Sequence, residues 1–184
     1  MSLRVNEITN PSRLTDIKED WDRILATSGE DEVFLRTEWI GTWWKFFGKG
    51  RKMILLEVTD GSTVVGYAPL MISKVGKLPP WKVVEFIASD ASDRSAIISE
   101  NEKDDVHKCV WKYIHELKGW DSIDIRNMRN GSPTAKNALS ELQNCNITKE
   151  VSPYIPVAQS YDEFLKNLAH KTKMKESVLK EIYR

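Results

Sequence analysis

Met53-Ile54-Leu55-Leu56-Glu57-Val58-Thr59-Asp60-Gly61-Ser62-Thr63-Val64-Val65-Gly66-Tyr67-Ala68-Pro69-Leu70-Met71-Ile72-Ser73 is the stretch that decides the architecture. Before it and after it, apolar residues recur with the helical period of about 3.6; within it they follow the strand period of two. Asp60-Gly61 interrupts the run, and both residue types tolerate positive φ. The stretch therefore predicts a hairpin of strands over 53–59 and 63–73. The second strand is apolar on both faces, which predicts a central place in a sheet covered on both sides. Pro69 has no N–H to give to a ladder and predicts a bulge or a point where pairing fails.

Working upstream, Leu3 to Ile8 alternates as a short strand ended by Asn10-Pro11. Ile17, Trp21, Ile24 and Leu25 predict a helix over 15–28, closed by Gly29. Thr37 is placed to cap a helix over 38–47, which carries Trp39, Ile40, Trp43, Trp44 and Phe47. Downstream, Leu78-Pro79-Pro80 breaks the chain before a strand over 81–88. Val106, Cys109, Val110, Tyr113, Ile114 and Leu117 form one stripe and predict a helix over 102–118. Asp104 and Asp105 suit its positive end, and Gly119 stops it.

A strand over 122–126 follows, then a helix opened by Ser132-Pro133 and running to Leu142. Short strands over 146–151 and 154–157 come next. Ser160 and Glu163 form a capping box for the last helix. This order predicts an α/β fold: one domain over 1–158, with a mixed, mostly antiparallel sheet and helices on both faces, then a trailing helix over 159–184.

The 184 residues include 27 Lys+Arg and 27 Asp+Glu, so the net charge is zero. That balance gives no overall attraction to nucleic acid. No apolar run reaches the length of about 18 residues needed to span a bilayer. The N-terminus lacks the apolar core of a signal peptide and reads as that of a cytoplasmic protein. Cys109 and Cys145 do not make a disulfide framework and read as buried, reduced thiols. His107, His115 and His170 have no metal-site spacing with Cys or Asp, so no metal is expected.

The element order resembles that of the GNAT acetyltransferases. Val33-Phe34-Leu35-Arg36-Thr37-Glu38-Trp39-Ile40 with Trp43-Trp44, Val64-Val65-Gly66-Tyr67-Ala68-Pro69-Leu70-Met71, and Ser152-Pro153-Tyr154-Ile155-Pro156-Val157 narrow the likeness. They resemble blocks of the GNAT-like group associated with bacterial cellulose and other polysaccharide biosynthesis, relatives of the Fem-type aminoacyl transferases. That group usually carries two GNAT-like halves in tandem, and the likeness covers nearly this whole chain as the N-terminal half. It implies transfer of an acyl group from acyl-CoA to an amine or hydroxyl of a small-molecule, sugar or cell-envelope precursor, by direct attack on the thioester. It also implies that the chain works with its own C-terminal half.

The likeness departs at one place. GNAT enzymes hold the pyrophosphate of acyl-CoA on a loop of the form Arg/Gln-x-x-Gly-x-Gly/Ala before the central helix. Here the matching stretch, Ala88 to Glu100, has no glycine and carries Asp90, Asp93 and Glu100. Like charge repels a pyrophosphate, so no cofactor site is expected in this half, and acyl-CoA is assigned to the missing one.

Candidate substrate residues are Asp90, Asp93, Arg94 and Trp43. The first three lie at a strand end, where open α/β sheets place ligands; they also read as a solvated loop with an internal Asp–Arg pair. Trp43 belongs to an aromatic helix that reads as a sugar-stacking platform or as core. Asp124 reads as solvated, and Glu57 as a strand carboxylate that matches a general base by position only. Lys166, Lys171, Lys173, Lys175, Lys180 and Arg184, against Glu176 and Glu181, make the tail basic. The tail reads as an anion contact or a solvated face. A non-catalytic GNAT-shaped binding module is the alternative function.

Overall fold

Strands β2 (Lys52–Asp60) and β3 (Thr63–Val75) form the predicted antiparallel hairpin in a computed structural model that describes residues 3–30, 32–142, 145–151 and 160–172. Asp60 pairs with Thr63, so Gly61 and Ser62 occupy the turn, and Gly61 supplies the positive φ of 61°. The register slips between Val58 and Thr59, which leaves Val65 as the extra residue of a bulge.

β1 (Leu3–Ile8) pairs with β2, and β4 (Trp81–Phe86) with the far end of β3. A two-residue strand β5 (Ile98–Ser99), absent from the sequence expectation, pairs with the near end of β3. β6 (Ser122–Ile123) lies parallel to β4; every other pairing is antiparallel. The order is β1-β2-β3-β4-β6 with β5 on β3, so the sheet is mixed and mostly antiparallel as expected.

β4 and β5 share one edge of β3 and part company at Ala68-Pro69. The Pro69 carbonyl accepts from Ile87 N at 2.8 Å on that edge. The missing N–H of Pro69 points the same way, so the proline marks the place where the ladder breaks. Pairing on the other edge runs unbroken past this point, Leu55 opposite Pro69.

Helices cover both faces. The first layer is α1 (Arg13–Asp16), α2 (Lys18–Thr27) and α3 (Thr37–Phe47). They bury Leu14, Trp21, Ile24, Leu25, Ile40 and Trp43 against Met53, Leu55, Tyr67 and Met71. Trp21 stacks on Tyr67 at 4.7 Å and donates to Leu35 O at 2.8 Å. The second layer is α4 (Asp104–Glu116) and α5 (Pro133–Glu141). Val106, Val110, Trp111 and Ile114 pack there on Ile54, Leu56, Val58 and Leu70.

Several expectations are corrected. The helix expected over 15–28 is two helices, broken at Ile17. Thr37 is the first helical residue of α3 rather than its cap, since its hydroxyl turns to Glu38. The buried stripe of α4 is rotated toward His107 and Trp111; Cys109, Tyr113 and Leu117 stay at its margin. The strand expected over 122–126 stops at Ile123, and residues 146–151 form no strand.

Cys109 and Cys145 are free, but Cys109 is half-buried and Cys145 exposed. The strand over 154–157 lies outside the described residues, as does most of the basic tail. Ser132 caps α5 as expected, accepting from Ala135 N at 3.2 Å. The chain falls into two compact units, Met1–Asn144 and Cys145–Arg184. The second contains α6 (Tyr161–Thr172), where Ser160 Oγ accepts from Glu163 N at 3.2 Å.

Candidate functional site

Open α/β sheets leave a ligand crevice outside the carboxyl ends of their parallel strands. Here those strands are β4 and β6. Asp124 N donates to Val84 O at 2.9 Å; beyond that bond the two chains diverge. The wedge between them is occupied by the chain itself, residues 88–97.

This loop is held by specific bonds. Ala88, at φ 66°, turns the chain off the line of β4. The side-chain nitrogen of Asn127 donates to Ser89 O at 2.8 Å and Ser92 O at 2.7 Å. Ser95 N donates to Asn127 O at 3.0 Å. Trp39 Nε1 of α3 donates to Ser92 Oγ at 2.9 Å. The Thr134 hydroxyl brackets Ile97, accepting from its N–H at 3.1 Å and donating to its carbonyl at 3.2 Å. Ser89, Ser92 and Ser95 are consequently buried.

On this loop Asp90 and Asp93 are exposed and Arg94 is half-buried. Arg94 donates to the Asp93 carbonyl at 2.9 Å, not to a carboxylate, so the expected Asp–Arg side-chain pair is replaced by a side-chain-to-backbone bond. Arg94 Nε is buried without a hydrogen-bond partner. Asp124 is not simply solvated: Arg126 Nε sits 3.0 and 2.9 Å from its two oxygens. Asp124 and, more weakly, Glu85 and Asp90 push the Arg126 guanidinium pKa up. Glu57 accepts from Asn6 at 3.2 Å.

Trp43 does not join the loop residues. It is 5% exposed, in the core, with Trp44, Phe47 and the Arg51 guanidinium around its ring at 6.5, 5.7 and 5.2 Å. Its neighbour Trp44, with Leu14, Thr37 and Gly41, lines a cavity of about 560 Å³, across whose rim Lys18 pairs with Glu38 at 2.6 Å.

A helix N-terminus attracts anions through its free N–H groups and its dipole. The start of α4 is already supplied with carboxylates. Glu100 and Glu102 precede it, and Asp104 and Asp105 occupy its first turn. Glu100 pairs with Arg23 at 3.0 Å and Lys103 at 3.1 Å. Glu102 lies against Gly29, where a Cβ would collide with its carboxylate. Asp104 accepts from Asn137 at 3.0 Å. Beneath them the buried Glu30 pairs with Arg129 at 3.2 Å. These residues do not fit the pyrophosphate of acyl-CoA.

His107, one turn into α4, is buried with Nε2 3.4 Å from Ser99 Oγ. Burial pushes its pKa down to about 4, against the weaker pull of Asp104. Among the described residues, no group of three or more His, Cys, Asp or Glu is placed to hold a metal, and no helix is long and apolar enough to cross a membrane.

The sequence reading missed Asn127, Thr134 and Ser92, the residues that hold the loop. The one signal for Asn127 is its residue type just after a strand, where a positive φ of 60° suits Asn.

No family model matches this chain, and no curated protein does. Three similar solved structures are of proteins described as acetyltransferases. A ribosomal-protein-alanine N-acetyltransferase from Brucella melitensis biovar Abortus 2308 is 8% identical over 83% of this chain and 100% of its own, TM-score 0.49. A possible acetyltransferase from Clostridium difficile 630 is 11% identical over 84% and 99%, TM-score 0.49. An aminoglycoside acetyltransferase from an uncultured soil metagenomic sample is 14% identical over 86% and 100%, TM-score 0.49. At these identities no residue role passes from them to this chain.

Proposed function

We propose that this chain is the N-terminal GNAT-like part of an acyltransferase that modifies an amine or hydroxyl of a sugar or cell-envelope precursor. In this proposal it does not hold acyl-CoA itself; a second, C-terminal GNAT-like half does. The observation that carries the division of labour is the acid-lined start of α4 beside a crevice filled by residues 88–97. Four carboxylates stand where a pyrophosphate would need N–H groups and positive charge.

Asp90, Asp93 and Arg94, on the outer rim of that loop, are assigned to the acceptor. Two carboxylates suit an ammonium or a row of sugar hydroxyls, and the guanidinium suits an acidic group. No bond-making role is assigned to any residue of this chain. The same acid-lined helix start also favours a second reading, a GNAT-shaped binding module without chemistry.

Isothermal titration of acetyl-CoA into the 184-residue chain tests the first reading. The expected result is no saturable heat. Micromolar binding would return the cofactor to this chain and overturn the division. Mixing the chain with a C-terminal half separates the two readings: acceptor-dependent release of free CoA thiol supports transfer, and its absence supports the binding module.

A further inference from the structure

We infer that the end of the sheet opposite residues 88–97 is a docking surface for an anionic lipid bilayer. β3 and β4 are joined there by a hairpin whose tip, residues 74–79, is exposed throughout. Its apolar side chains face water rather than the core: Leu78 is 95% exposed, Trp81 57% and Val75 56%. Val75 pairs across the strands with Trp81, and Trp81 Nε1 donates to Ser122 Oγ at 2.7 Å, which fixes the indole at the base of the tip.

Lys74, Lys77 and Lys82 surround these side chains, all three exposed, and residues 72–84 contain no acid. Two acids lie near: Glu85 of β4, opposite Met71, and Asp121, whose carboxylate accepts from Lys82 N at 2.8 Å.

A second segment reaches the same end. Lys52, the first residue of β2, lies opposite Ile72 of β3, so the C-terminus of α3 arrives beside the hairpin. It brings Phe46, 68% exposed, and Phe47, 57% exposed, flanked by the exposed Lys45 and Lys49. The run from Thr42 to Arg51 contains no acid. Against Glu85, Asp121 and Glu7, which pairs with Lys52 at 3.1 Å, this end sets the exposed Lys45, Lys49, Lys74, Lys77 and Lys82 around apolar tips.

Aromatic and aliphatic side chains ringed by lysines are the composition of an interfacial membrane contact. Large apolar side chains exposed together mark an interaction site. The charge commits the partner: a neutral apolar groove on another protein has no use for the lysines, whereas an anionic lipid surface takes both. Each lysine near such a surface strengthens binding about fivefold. Docked this way, the chain holds the rim bearing Asp90, Asp93 and Arg94 away from the bilayer.

The test is co-sedimentation of the 184-residue chain with vesicles of phosphatidylcholine alone and of equimolar phosphatidylcholine and phosphatidylglycerol. The expected result is pelleting with the anionic vesicles only, reversed at about 0.5 M salt, where charges are screened within a few ångströms. Leu78→Glu and the double variant Lys74→Glu/Lys77→Glu alter exposed positions, and melting at the wild-type temperature checks their fold. Each is expected to lose at least tenfold in vesicle binding. No pelleting at low salt overturns the inference, as does wild-type binding by Leu78→Glu. Equal retention by single-stranded RNA also overturns it, because it would make the patch a general polyanion contact.

Discussion

The side-chain nitrogen of Asn127 lies 2.7 Å from the carbonyl oxygen of Ser92, a residue 35 positions earlier in the chain. Its second proton goes to Ser89 O at 2.8 Å. Two hydrogen bonds from one nitrogen thus hold the loop that fills the crevice. Asn127→Ala removes both and places alanine at a φ of 60°, which Ala tolerates poorly. A loss of about 1–3 kcal/mol is expected in urea unfolding. Asn127→Gly keeps the backbone conformation and loses only the bonds. Hydrogen exchange should show Ser95 N–H losing protection in both variants; unchanged protection would separate the loop from Asn127.

Gly66 of β3 lies against Val106 of α4 and pairs with Ser99 of β5. A Cβ there would meet Val106 Cγ1 at 2.5 Å and Ile98 O at 2.9 Å. The neighbours are core and backbone and cannot swing aside. Gly66→Val is expected to destabilise by about 1–3 kcal/mol through overpacking, read as a lower urea midpoint.

His107 makes stability depend on pH. Its ring is neutral in the folded chain, with the pKa depressed to about 4 from an unfolded value near 6.5. The unfolded chain therefore takes up a proton first as pH falls. The contribution is complete above about pH 6.5 and is lost as pH drops toward 4, to a total of about 3 kcal/mol. His107→Gln should flatten that part of the stability profile relative to wild type. Parallel slopes between about pH 7 and 4.5 would dismiss the assignment.

The two thiols should react at different rates. Cys145 is exposed, while burial pushes the Cys109 thiol pKa up, against the weaker effect of Lys112. Reactivity follows the thiolate and its access. Mass spectrometry after a short native alkylation is expected to find Cys145 modified and Cys109 largely free. After denaturation without reductant both should be modified.

What was legible in the sequence is what periodicity records. The hairpin around Gly61 follows from two apolar runs about a turn signal, and the α4 residues Val106, Val110 and Ile114 follow from the turn of a helix. The rotation of α4 did not, because apolar residues flank that axis on both sides. Only the packed sheet decides that Trp111 is buried and Cys109 stays at the margin. β5 was invisible because two residues carry no period. The loop anchors were invisible for a different reason: Asn127 binds backbone carbonyls, and a carbonyl leaves no trace in residue type. The acid-rich, glycine-free character of 88–100 was plain from composition, but the salt bridge of Glu30 to Arg129 beneath it required the fold.

The division of one β3 edge between β4 and β5 ties residues 88–97 to the same strand at both ends. Both feet of the loop stand on that edge almost side by side: Ile87 donates to Pro69, and Ile98 pairs with Tyr67. The strand register is set by those pairs, and the loop between them is held by Asn127 and Thr134. Closing a loop twice as long costs only about 0.6 kcal/mol more. Extra length therefore fits at the exposed Asp90-Ala91 corner, which carries no core contact, while Ala88, Ala96 and Ile97 stay packed and the Pro69 break stays closed beneath them.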